Sequence, residues 1–64
     1  MNIKFSNLKW ESDYNGYEVG FPDVPVVGMY STVQELNPGE RQELNLYINT
    51  ENGQILEWWL ESIC

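Results

Sequence analysis

Turn-forming residues recur so often along this chain that no long helix fits between them. Asn15-Gly16, Phe21-Pro22-Asp23, Pro25, Gly28, Asn37-Pro38-Gly39 and Asn52-Gly53 each punctuate the backbone. Glycine supplies positive φ, proline fixes φ and removes a donor, and Asn and Asp bond their own backbone. Signals spaced roughly 8 to 15 residues apart leave room for short strands. No repeat, linker or low-complexity segment interrupts the pattern, so residues 1–64 read as one small domain.

The second half is the more legible. Leu44, Leu46 and Ile48 alternate with Glu43, Asn45, Tyr47 and Asn49, the period of a half-buried strand. A two-residue Asn52-Gly53 turn would set Ile48 against Glu57 and Leu44 against Glu61. A three-residue loop with Gly53 left-handed in a bulge sets Ile48 against Leu56, Leu46 against Trp58 and Leu44 against Leu60. A slip of one residue moves every side chain to the other face, so the bulged register is preferred. Ile55, Leu56, Trp59, Leu60 and Ile63 also fit a helical stripe, but the preceding strand and the Asn-Gly turn favour a hairpin.

Upstream, Asn37-Pro38-Gly39-Glu40 reverses the chain so that Val33 faces Leu44 and Met29 faces Ile48. Pro-Gly suits a type II turn, which matches hairpin twist poorly, so a slightly longer loop of the same parity is expected. A one-turn helix from Ser31, with Gln34 completing a capping box, is the alternative. In the first half, Ile3 and Phe5 begin an alternating segment that drifts out of phase by Trp10. Tyr14-Asn-Gly-Tyr17 reads as a hairpin turn into a strand through Tyr17, Val19 and Phe21. The expected fold is mainly β: a small antiparallel meander of 4–5 strands or a partly open barrel, with at most one short helical turn.

These registers assign Met29, Val33, Leu44, Leu46, Ile48, Leu56, Trp58 and Leu60 to the inner face. The outer face receives Tyr30, Thr32, Gln34, Glu43, Asn45, Tyr47, Glu57, Trp59 and Glu61. Tyr and Trp dominate interface hot spots, and Glu43 directly opposite Glu61 is a destabilising like-charge pair. Tyr30, Glu43, Tyr47, Glu57, Trp59 and Glu61 are therefore the candidate partner-binding residues. The competing reading is that the N-terminal segment covers the aromatics as core. On this assignment Trp58→Ala, as a core truncation, costs about 3–5 kcal/mol.

Charge and missing residue types exclude most chemistry. Ten acidic residues stand against three basic ones, a net charge of −7. Lys4, Lys9 and Arg41 cannot neutralise a phosphate backbone that ten carboxylates repel, so direct nucleic-acid binding is not expected. The same charge favours a basic protein surface, although it also serves solubility. There is no histidine, and Cys64 is the single cysteine. A catalytic triad and a zinc site therefore lack parts, and an internal disulfide is impossible. Cys64 reads as an exposed reduced thiol. Glu11-Ser-Asp13-Tyr-Asn15-Gly16 begins like a calcium loop, but Pro22 occupies the position of its bidentate glutamate. No glycine loop cradles phosphate, and a domain this small holds little volume for a catalytic cleft. No enzyme activity, cofactor or metal is expected.

No apolar run reaches signal-peptide or membrane-spanning length, so a cytoplasmic protein without membrane contact is expected. Gly16-Tyr-Glu-Val-Gly-Phe-Pro-Asp-Val-Pro25 resembles the N-terminal stretch of HicB-type antitoxins, an aromatic strand running into a Phe-Pro-Asp-Leu-Pro turn. The likeness ends at Val26-Val27, where that family has Gly, and assigns no residue a role. Taken together, the sequence reads as a non-enzymatic acidic binding module. Its best-fitting role is inhibitor or antagonist of a basic, nucleic-acid-handling protein, of anti-defence, immunity or antitoxin type. The alternative is a structural homo-oligomer or accessory subunit of a larger complex.

Overall fold

The computed structural model describes residues 3–63, so Cys64 lies outside the described residues. Four strands pair antiparallel in the order β1-β2-β3-β4, with β1 at Lys9–Asn15, β2 at Val26–Asn37, β3 at Glu40–Asn49 and β4 at Gln54–Ser62. The expected meander is therefore present as an open sheet, not a barrel. Residues 54–62 are strand, not helix, and Ser31 lies within β2.

A strand through Tyr17, Val19 and Phe21 does not form. Asn15 Oδ1 accepts the Tyr17 N–H at 2.9 Å and caps a 3-10 turn over Gly16–Val19. The Phe21 N–H then donates to the Gly16 carbonyl at 2.7 Å, and the Val24 N–H to the Phe21 carbonyl at 2.9 Å. Pro22 and Pro25 have no N–H to give a ladder, so stacked turns suit this stretch better than a strand. The route demands glycine at position 16, where a Cβ would stand 1.8 Å from the Val24 carbonyl oxygen.

The β3–β4 hairpin places Leu46 opposite Trp58 and Leu44 opposite Leu60, as expected. Ile48, however, faces Ile55, not Leu56, because the register shifts between Tyr47 and Ile48. The loop between the paired Asn49 and Gln54 has four residues, 50–53, not three; Gly53 is left-handed at φ 75°, and its N–H closes the turn on the Asn49 carbonyl at 2.7 Å. Leu56 is the extra residue of a bulge. The bulge lets Ile55 and Trp58, three apart, share one face.

The β2–β3 pair corrects the sequence reading more deeply. Asn37 faces Glu40 across a two-residue Pro38-Gly39 turn, but the register shifts by one between Glu35 and Asn37. Gly39 takes φ 82°, the value a type II turn requires of its third residue. The mismatch with strand twist is absorbed by a bulge at Leu36, not by a longer loop. Thr32 therefore faces Leu44, Tyr30 faces Leu46 and Met29 faces Tyr47. Every β2 side chain before the bulge is on the face opposite to the expected one. Met29 and Val33 leave the Leu44 face; Tyr30, Thr32 and Gln34 join it.

The two faces are covered by different means. Leu44 and Leu46 are 0% exposed beneath the N-terminal segment, which crosses their face as a strap. Gln34 fixes the strap: its Oε1 accepts the Lys4 N–H at 2.9 Å and its Nε2 donates to the Lys4 carbonyl at 2.9 Å. Phe5 stacks edge-on against Trp58, with ring centroids 5.8 Å apart. Trp58 remains 45% exposed, so it is a half-buried lid residue and its truncation costs less than a core substitution. The Cα trace measures 39 × 22 × 17 Å, thick enough for one sheet and a partial second layer.

Candidate protein-binding face

On the other face, β3 contributes Glu43, Asn45 and Tyr47, and β4 contributes Glu57, Trp59 and Glu61. Their pairing is direct: Glu43 with Glu61, Asn45 with Trp59 and Tyr47 with Glu57. Five of the six expected partner-binding residues are thus brought together. Tyr30 is not among them, because the Leu36 bulge turns it to the strap side opposite Leu46.

The face has an aromatic end and an acidic end. Tyr47 is the hub of the first, with edge-on contacts to Trp59 at 5.1 Å, Phe21 at 6.1 Å and Tyr14 at 6.4 Å between centroids. Such pairs each add about 0.5–1.5 kcal/mol beyond area burial. Phe21 reaches Tyr47 from the turn region, so the segment after β1 partly covers this end. The N-terminal segment covers the opposite face instead. Val27, paired with Tyr14, is 0% exposed here.

At the acidic end, a shallow groove of about 350 Å³ is lined by Glu11, Ser31, Glu43, Asn45 and Glu61 among others. Its floor is polar and buried: Asn45 is 2% exposed and Ser31 5%. Ser31 Oγ donates to Glu11 Oε1 at 2.6 Å, and Asn45 Nδ2 donates to Glu61 Oε2 at 3.2 Å. Burying hydroxyl and amide groups is tolerable because each has a carboxylate acceptor. The two contacts also hold Glu11 and Glu61 toward the groove from the two edge strands, β1 and β4.

Glu11 is the residue sequence reasoning missed. It is the extra residue of a bulge between Trp10 and Ser12 in β1, which re-aims its side chain toward Ser31. Nothing in the local pattern signals that bulge. Among the described residues, no three His, Cys, Asp or Glu side chains are grouped so as to hold a metal ion. No helix is long and apolar enough to cross a membrane.

Comparison of the chain with protein-family models, with curated proteins and with solved structures gives no match. The local resemblance of residues 16–25 to HicB-type antitoxins therefore leads to no family assignment, and in this protein those residues form stacked turns.

Proposed function

We propose that this protein is a non-enzymatic binding module that engages a basic protein surface through the face of Glu43, Tyr47, Glu57, Trp59 and Glu61, with Glu11 at its margin. The observation that carries this reading is the direct Glu43–Glu61 pairing over a floor that already supplies each buried donor with an acceptor. Like charges set opposite one another destabilise a sheet, and a domain of 64 residues has little stability to spare. A partner's Lys or Arg would relieve that repulsion, and Trp59 beside them offers a cation–π surface. In the best-fitting role, the acidic face occupies a site that a basic protein reserves for phosphates, antagonising a nucleic-acid-handling protein in the cytoplasm.

Affinity capture from the native cell lysate, washed at low and then high salt, tests the proposal. The expected result is a basic protein retained at low salt and released at high salt. The Glu43→Lys/Glu57→Lys double variant, which spares the Asn45–Glu61 bond, should keep its fold and lose that capture. Recovery of this chain alone at both salts would overturn the reading in favour of the homo-oligomer. Unfolding of the double variant would make those glutamates structural.

A further inference from the structure

The open sheet leaves two edges, and they are unlike. β1 is short and broken by the Glu11 bulge; it carries Lys9 and leads straight into the 3-10 turn. Bulges, lysines and abrupt ends are the devices by which natural sheets blunt an edge. β4 runs Gln54–Ser62 with neither proline nor lysine, and beyond the Leu56 bulge it pairs regularly from Glu57 to Ser62. Among the described residues its outer side has no strand neighbour. That side combines outward-pointing backbone groups with Glu57, Trp59 and Glu61 on one face and Trp58 and Leu60 on the other.

We infer that β4 receives an extended strand of the protein partner, which joins the sheet as a fifth strand. The inference rests on the acidic-face reading and specifies its mode. Main-chain hydrogen bonds supply affinity in such additions, and alternate side chains supply specificity. Glu57 and Glu61 ask for basic residues four apart on the incoming strand. Trp59 between them favours arginine, and Trp58 and Leu60 favour β-branched apolar residues on the other face. The occupant is thus a segment of the form basic, apolar, basic, apolar, basic. A second copy of β4 fits poorly, because antiparallel self-pairing centred on Trp59 sets Glu57 against Glu61 twice, between chains of net charge −7.

The probe is the synthetic peptide Thr-Lys-Val-Arg-Val-Lys-Thr, blocked at both ends and titrated into the isotope-labelled full chain at low salt. Two further peptides carry N-methyl groups on one or the other alternate set of residues. All three present the same charges and side chains, but each methylated peptide lacks the donors of one edge. Strand addition predicts that one methylated set weakens binding at least about tenfold, as two or three lost hydrogen bonds require. The other set should bind like the parent, and the parent should slow amide exchange along β4.

Equal binding of all three, with shifts on the Glu43 and Tyr47 face and unchanged β4 exchange, would overturn strand addition while leaving the acidic-face reading intact. No binding of the parent peptide would also overturn it, and the acidic face would then stand on the lysate capture alone. Slowed β4 exchange that grows with protein concentration without peptide would assign the edge to a second copy and overturn the inference.

Discussion

The strap face and the acidic face belong to the same four strands, yet they are stabilised by different physics. The strap face buries Leu44 and Leu46 completely under a segment fixed by one glutamine side chain. The acidic face buries Ser31 and Asn45, each satisfied by a carboxylate, and leaves its glutamates open to solvent. Apolar burial contributes roughly 25 cal/mol per Å² without regard to direction. The polar floor contributes little net stability but holds particular side chains in place. The strap face draws on apolar burial throughout, whereas the acidic face joins an apolar end, with Val27 at 0% exposure and the Tyr47 cluster, to a polar floor that positions carboxylates.

The comparison is broken most severely by Leu46→Ala, which should lower unfolding free energy by about 2–5 kcal/mol. In urea titration this is enough to leave the chain largely unfolded. Trp58→Ala removes a larger side chain, but one already half in water, and should cost about 1–3 kcal/mol. Equal or reversed losses would show that the strap face extends its core through Trp58.

Gln34→Ala tests the strap itself. Losing both bonds to the Lys4 backbone should cost about 1–2 kcal/mol, release Phe5 from Trp58 and change tryptophan fluorescence, with amide shifts absent from the Tyr47 cluster. The smallest effect belongs to the acidic face. Glu43→Lys places a cation opposite Glu61 while leaving the Asn45–Glu61 bond intact, and should raise stability by about 0.2–1 kcal/mol. The gain should shrink as salt is added to the urea titration. A loss of stability there would mean that Glu43 makes a structural contribution the groove geometry does not reveal.

The β3–β4 hairpin was readable from the chain because two signals agree: the strict alternation of Leu44, Leu46 and Ile48, and the left-handed demand at Gly53. The pairings of Leu46 with Trp58 and Leu44 with Leu60, and of Glu43 with Glu61, follow from them. The β2 faces were not readable, since Val26 to Asn37 mixes apolar and polar residues on both phases. Its register also depends on a bulge at Leu36 that local sequence does not announce. Tyr30 left the candidate site for that reason, and Glu11 entered it through a second bulge. Residues 16–25 misled because Asn-Gly suits a hairpin locally, whereas Asn15 capping and two prolines select turns.

Element type was decided locally here, by turn residues and by alternation, because φ preferences and side-chain period act within a few positions. Composition likewise set the charge and left the chain with no histidine and one cysteine. Which face each side chain occupies was decided by the tertiary structure. A bulge adds one residue to one strand, inverts everything on one side of it, and is selected by the sum of packing on both faces. At Leu36 that sum sends Val27 to the Tyr14 and Tyr47 side, where it is 0% exposed, and gives Gln34 its two bonds to Lys4. Neither gain exists until the strands and the strap have met.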